Sequence, residues 1–265
     1  MRMSVHEGVK FLQISDSHLF NNAGKQLLGV DTEASLRAVV DLACKEENVT
    51  GILATGDLSQ DGSMESYQQF NDIVKSLGAP VYWIPGNHDN SDYFYHPENF
   101  PLSSRSVIEA GNWRILLLDS AIPGEESGHL STSELEYIGK HARDDERHTL
   151  LVLHHQPIPC GSAWLDNMTL DNSDDFLQLI ERKASIRAVL NGHIHQARQQ
   201  EIAGVSFIST PSTCFQFTPD TEEFSLDTRM PGYRRLMLMT DGSIDTEVVR
   251  LKNYDLNLEP AVMGY

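Results

Sequence analysis

Five short apolar runs in this chain each stop abruptly at residues of metal-binding type. FLQIS leads to Asp16 and His18, GILATG to Asp57, VYWIPG to Asn87 and His88, TLLVL to His154, and AVLNG to His193 and His195. An apolar run of about 4 to 8 residues reads as a buried strand, and open α/β sheets gather ligands beyond the carboxyl ends of their strands. The polar residues are therefore expected to converge on one edge of the fold. Carboxylate, amide and imidazole together make an oxygen and nitrogen site suited to iron, manganese, zinc or cobalt rather than calcium. Their number suits two ions sharing one bridge.

Helical spacing fills the gaps between these runs. TEASLRAVVDLACKEE places Leu36, Val39, Val40 and Ala43 on one face, with Thr32 as the expected N-cap and Ser35 at N3. SMESYQQFNDIVKSLG does the same with Tyr67, Phe70, Ile73, Val74 and Leu77, and Gly78 is its expected stop. STSELEYIGKHARDD opens on a cap at Ser131 or Ser133 and carries Leu135 and Ile138. Strand and helix alternate over roughly the first 90 residues, the pattern of βαβ units. Beyond them, SVIEAGNWRILLLDS, RQQEIAGVSFIST and YRRLMLMTDGSIDTEVVRL each set turn residues between two strand-like runs and read as hairpins. Crossovers followed by hairpins predict a layered α/β sandwich with mixed sheets. TPDTEEFSLDTRMPG, residues 218–232, has little periodicity and reads as a lid or a mobile loop.

At 265 residues the chain is expected to form one domain, residues 1–265, without repeats or an interdomain linker. Twenty Lys and Arg against 38 Asp and Glu leave a net charge of −18, and the sequence pI is near 4.9. Such a surface repels phosphate backbones, so no nucleic-acid partner is expected. A small phosphate ester remains compatible, because bound cations invert the local field. Cys44, Cys160 and Cys214 are odd in number and widely spaced, which predicts neither a disulfide framework nor a zinc knuckle. With no apolar signal segment and no run of about 18 apolar residues, no membrane partner and a cytoplasmic location are expected.

Singly, each motif has a plain structural explanation: Asp16-Ser17-His18 and Gly56-Asp57 could be turns, and His154-His155 a satisfied core pair. Gly192-His193-Ile194-His195 points both imidazoles to one side if extended. Occurring together at successive strand ends, they outweigh those explanations. His6, His96, His129, His141 and His148 do not share the placement and are expected in loops or on helical faces.

The order Asp-x-His, Gly-Asp, Gly-Asn-His-Asp, His-His and Gly-His-x-His, spread over residues 16–195, resembles the calcineurin-like metallophosphoesterase superfamily. Asp16-Ser17-His18-Leu19-Phe20, Leu27-Leu28-Gly29-Val30, Ser162-Ala163-Trp164-Leu165-Asp166, Thr210 to Phe217 and Pro231-Gly232-Tyr233-Arg234 are similar to the bacterial class III cyclic-AMP phosphodiesterases. Gln156 departs from the His-His-Pro-Pro stretch of many superfamily members. The resemblance implies an αββα sandwich of two mixed sheets flanked by helices, and a dinuclear centre of divalent or mixed-valence ions. Asp16, His18 and His195 would hold one ion, Asn87, His154 and His193 the other, and Asp57 would bridge them. His88 would stay unligated beside the substrate, and His18, Asp57, Asn87, His88 and His195 would contact it.

The implied reaction is hydrolysis of 3',5'-cyclic AMP to 5'-AMP. Two metals about 3.5 to 4 Å apart acidify a bridging water, whose hydroxide attacks phosphorus in line, while His88 protonates the leaving O3′ with Asp89 as a partner or as a loop cap. Adenine is expected to stack on Phe215, Phe217 or Phe20, with residues 209–217 as one wall of its pocket. The competing functions are a broader phosphodiesterase, a phosphomonoesterase, or a non-catalytic scaffold of the same fold. Serine/threonine phosphatases carry an arginine-bearing extension of Gly-Asp, where this chain has Leu58, Ser59, Gln60 and Asp61. Purple acid phosphatases add a tyrosine soon after Gly-Asp, and none occurs here until Tyr67. The intact ligand set argues against the scaffold.

Overall fold

The computed structural model describes residues 8–96 and 105–259. β1 (Val9–Ile14) is followed by a ribbon of β2 (Gln26–Leu27) and β3 (Val30–Asp31), then α1 (Thr32–Ala43), β4 (Val49–Thr55), α2 (Met64–Val74) and β5 (Val81–Ile84). β6 (Val107–Ala110) turns back into β7 (Trp113–Leu117), after which come α3 (Thr132–His141), β8 (His148–Val152), α4 (Ala163–Asp166), α5 (Ser173–Glu181) and β9 (Ile186–Asn191). β10 (Gln199–Ile202) and β11 (Val205–Ser209) form a hairpin, β12 (Gln216–Phe217) and β13 (Leu226–Asp227) a ribbon, and β14 (Gly232–Leu238) and β15 (Ile244–Arg250) a closing hairpin.

One sheet has the order β15-β14-β1-β4-β5 and the other β10-β11-β9-β8-β7-β6. Both are mixed, as expected, with parallel crossovers inside and antiparallel strands added beside them. Alternation along each strand sorts side chains between two layers. Phe11, Leu53 and Leu236 meet Ile115, Leu150 and Leu190 between the sheets. Leu12, Ile52 and Ala54 pack with Leu36, Val40 and Phe70 of α1 and α2, whereas Leu116, Leu151 and Val189 pack with Ile138, Phe176 and Ile180 of α3 and α5. Both faces of the central strands are thus apolar, which is why those runs are continuous rather than alternating. The result is an αββα sandwich in which each buried Leu, Ile or Phe contributes about 1.5 to 3 kcal/mol.

Local chemistry explains the helix ends, with one correction. Asp31, not Thr32, caps α1: its carboxylate accepts from the Ala34 amide at 2.9 Å, a stronger cap than a hydroxyl one residue inside. Ser63 caps α2, Ser131 caps α3, and Gly78 (φ 68°) ends the 3₁₀ turn after α2. Crossovers do not stop near residue 90: α3 links parallel β7 and β8, and α4 with α5 links β8 and β9. Nothing in the sequence reading identified α5, although Phe176 and Ile180 lie four apart behind Asp174 and Asp175 in its first turn. Much of the aperiodic segment 218–232 is ordered by pairing, Phe217 opposite Leu226 and Thr218 bonded to Ser225. Cys44, Cys160 and Cys214 are free thiols. Among the described residues, no helix is long and apolar enough to cross a membrane.

Candidate metal centre

At the ends of β1, β4 and β9 the backbone turns through an unusual conformation. Asp16 (φ 54°), His18 (φ 46°), Asp57 (φ 49°), His193 (φ 65°) and His195 (φ 48°) are all left-handed. For residues other than glycine this costs about 1 to 3 kcal/mol each and persists only where the surroundings enforce it. Here the loops after β1 and β4 are laced together: Asp16 N–H donates to Gly56 O at 3.0 Å, His18 N–H to Asp57 O at 2.9 Å, and Leu19 N–H to Leu58 O at 3.0 Å. The Ser212 hydroxyl ties Asp16 O at 2.8 Å. The His-x-His pair is therefore not extended, and its imidazoles do not share one side as a strand would require. His195 joins Asp16 and His18, while His193 joins His154 and His155.

Close approach dictates glycine at two places. A Cβ on Gly86 would strike the Asp57 carboxylate, and one on Gly56 (φ 88°) would strike the His154 ring. With both absent, the strand ends close up. His195 Nε2 lies 3.5 Å from Asp16 Oδ1 and 3.2 Å from His18 Nε2. His154 Nε2 lies 3.3 Å from Asp57 Oδ2 and 3.2 Å from Asn87 Oδ1, and His18 Nε2 is 3.9 Å from the same Asp57 oxygen. Asp57 thus stands between the two groups.

The donor set fits cations. His154 Nδ1–H donates to Thr55 O at 2.8 Å, His195 Nδ1–H to Phe215 O at 2.9 Å, and His18 Nδ1–H to Gln60 Oε1 at 2.7 Å. Each bond fixes the ring so that Nε2 turns inward, the arrangement that orients metal-ligating histidines. The facing lone pairs of His18 and His195 repel unless something positive lies between them. Asp16 Oδ2 and His193 Nε2 are buried with no hydrogen-bond partner among the described residues. Such clustered His and Asp donors suit divalent metal ions.

Electrostatics are consistent with that. Burial would raise the Asp57 carboxyl, but His154 and His88 hold it well below the ordinary range. Asp16 is also lowered, since His195 and His154 outweigh its burial. Burial acts to lower His154, yet the Asp57 carboxylate raises it to about 9. Burial drops His18 and His193 to about 3, keeping them neutral.

His88 lies beside this cluster, its ring centroid 5.1 Å from that of His18 and its amide bonded to Asp57 Oδ1 at 2.9 Å. Asp89 serves as the loop cap rather than the partner of His88: it accepts from Gly86 N at 2.8 Å, Ser59 N at 3.0 Å and Leu58 N at 3.3 Å. Gln60, marked in the sequence only by standing where the serine/threonine phosphatases carry arginine, reaches His88 instead. With Oε1 taken by His18, its Nε2–H₂ donates to His88 Nδ1 at 3.2 Å. His155 was also missed; Ser120 Oγ bonds its Nδ1 at 2.8 Å, and its ring lies 4.7 Å from that of His193.

A cavity of about 440 Å³ opens over the cluster. Asp57, Asn87, His88 and His193 line it together with Trp164, Phe217 and Phe224. Of the three expected aromatics, only Phe217 lines it. Phe215 is buried and stacks on His18 at 5.9 Å, and Phe20 sits under the Lys25 ammonium at 4.8 Å. A second cavity, of about 310 Å³, lies between α5 and the β10–β11 turn, at the opposite end of β9 from its histidines. His6 lies outside the described residues, His129 pairs with Asp171, and His141 ends α3. Contrary to expectation, His148 opens β8, opposite Trp113.

A family model described as calcineurin-like phosphoesterase matches residues 9–197. A 3',5'-cyclic adenosine monophosphate phosphodiesterase CpdA from Haemophilus influenzae is 42% identical over 97% of this chain and 95% of its own length. The protein of the same description from Escherichia coli is 40% identical over 97% of this chain and 95% of its own. Among solved structures, a dimetal phosphatase from Danio rerio superimposes with a TM-score of 0.64 at 14% identity, covering 92% of this chain and 99% of that one, a likeness of fold alone.

Proposed function

The chain belongs to the calcineurin-like phosphoesterase family, and on that premise we propose that it hydrolyses 3',5'-cyclic AMP to 5'-AMP. One observation carries the reading: 40 to 42% identity, over nearly the full length, to cyclic-AMP phosphodiesterases coincides with a His/Asp cluster that opens into a cavity large enough for a nucleotide. Asp16, His18, His195 and Asp57 would hold one ion, and Asn87, His154, His193 and Asp57 the other. Iron and manganese suit this mixed carboxylate, amide and imidazole set, with zinc or cobalt as substitutes. When bound, such a pair supplies Lewis-acid polarisation of the phosphate and an acidified water as nucleophile.

The chain's own residues do the rest. Asp57 keeps its charge under the pull of His154 and His88. As the imidazolium, His88 would give its Nε2 proton to the leaving O3′ and end as the neutral ring, with Gln60 Nε2 positioned 3.2 Å from its Nδ1. Asn87 and His88 line the cavity beside Asp57, where the diester enters; His18 and His195, buried and outside that lining, would act on it only through the ion they hold. The whole chain acts as one domain, in the cytoplasm. Release of 5'-AMP from cyclic AMP by the metal-loaded protein tests the reading. Preference for a phosphomonoester over a diester such as bis(p-nitrophenyl) phosphate would move the function to a phosphatase, and a metal-free inert protein would favour the scaffold.

A further inference from the structure

We propose that the aromatic side of the cavity is the nucleobase subsite: Trp164 and Phe224 stack on the base and Asn167 reads its edge. This rests on the phosphodiesterase reading and extends it to what the enzyme recognises beyond the phosphate. A diester alone needs only the lining formed by Asp57, Asn87, His88 and His193. The rest of the lining adds Leu165 and Met168 to the rings of Trp164, Phe217 and Phe224, with Asn167 and Glu126 as its polar groups. Large planar apolar faces with a short polar edge are the chemistry of a purine, and aromatic rings are the usual platforms on which bases stack.

The platform is built before any ligand arrives. Phe217 stacks on the His195 ring, 4.4 Å between centroids and 20° between planes, so the aromatic layer begins at the metal cluster itself. Trp164 packs edge to face with Phe217 at 4.9 Å and with Phe224 at 5.1 Å. Phe217 is buried, whereas Trp164 and Phe224 keep part of their surface open. Their supports are hydrogen-bonded to each other: Ala163 N–H donates to Thr221 O at 2.9 Å, which joins α4 to the β12–β13 ribbon. Gln156, the departure from the superfamily pattern, donates to Leu165 O at 3.0 Å and pins α4 to the loop after His154. The Asp166 carboxylate accepts from Cys160 N at 2.7 Å and Gly161 N at 3.0 Å, closing the approach to α4.

Asn167 is exposed at the C-cap of α4, on the rim of the cavity. A carboxamide offers a donor beside an acceptor, which matches N7 and the N6 amine of adenine; guanine presents two acceptors at the same edge and satisfies only half of it. The Glu126 carboxylate only accepts and suits an exocyclic amine. The Trp164 indole N–H, without a hydrogen-bond partner among the described residues, leaves one more donor beside the cavity.

The test compares ligands that differ only in the base. Binding of 5'-AMP, 5'-GMP and ribose 5-phosphate to the metal-loaded protein is measured by competition against hydrolysis of bis(p-nitrophenyl) phosphate. The wild type is expected to bind 5'-AMP at least about tenfold more tightly than ribose 5-phosphate. Trp164→Ala and Phe224→Ala should each shrink that ratio severalfold, Trp164→Phe should restore most of it, and Asn167→Ala should narrow the gap between 5'-AMP and 5'-GMP. Equal binding of 5'-AMP and ribose 5-phosphate by the wild type, or a ratio unmoved by Trp164→Ala and Phe224→Ala, overturns the subsite. Those results would leave the phosphodiesterase reading standing if the wild type hydrolyses cyclic AMP. Failure of the wild type to hydrolyse cyclic AMP overturns that reading instead.

Discussion

His88 and Asp57 are joined by a 2.9 Å hydrogen bond, yet their replacement should have different consequences. Asp57 stands between both groups of ligands, so Asp57→Ala is expected to lose metal and activity together. His88→Ala should retain its metal while turnover falls about 10² to 10⁴, the usual contribution of general acid catalysis. Metal analysis beside kcat separates the two, and equal metal loss would remove His88 from its role as acid. Gln60 acts through others, its carboxamide holding His18 on one side and His88 on the other. Gln60→Ala should therefore lower kcat by about 10- to 100-fold, as loss of a ligand-orienting hydrogen bond commonly does, with little change in KM. A rise confined to KM would show that Gln60 contacts substrate rather than orienting the imidazoles. That these carboxylates and imidazoles would cluster was legible in the chain because each follows an apolar run. Gln60 was not, since an amide three residues past Gly-Asp has no meaning until His18 and His88 are brought to either side of it.

Helix caps illustrate how far local reading reaches. Thr32 and Asp31 are adjacent and both of capping type, and only the turn out of β3 decides that Asp31 faces the Ala34 amide. Asp31→Ala should cost about 1 kcal/mol, within the 0.5 to 2 kcal/mol typical of lost caps. A chain of this size should then melt about 2 to 4 °C lower, with metal content unchanged. No shift in Tm would mean that α1 is held by its packing through Leu36 and Val40 alone. The central strands were readable because both of their faces are apolar. Residues 218–232 lack periodicity for a physical reason: their order comes from pairing with β12 and bonding to α4, not from an apolar stripe of their own.

Across the molecule, the strands deliver carboxylates and imidazoles to one edge, and binding of cations there must compete with protons. Burial alone would lower His154, but Asp57 raises it to about 9, so without metal this imidazole is protonated at neutral pH. A cation needs it neutral, and affinity should fall about tenfold per unit as pH drops from 9 toward 6, with close to one proton released per ion bound at that position. The lowered carboxyls of Asp16 and Asp57 stay ionised throughout and add no slope of their own. Calorimetric titration of the apo protein with Mn²⁺ in buffers of different ionisation enthalpy checks this, and a flat affinity across the range would refute the raised His154. Read alone, the chain specifies where strands lie, what chemistry their ends carry, and the likeness that groups these residues around two ions. Those are properties of short windows, set by side-chain periodicity and by motifs a few residues long. Folding in three dimensions settled the left-handed turns that send His193 and His195 to different partners, the reach of Gln60, and the ring cluster of Trp164, Phe217 and Phe224 beside the His/Asp cluster. Each depends on contacts between segments far apart in the polymer, and no local periodicity encodes them.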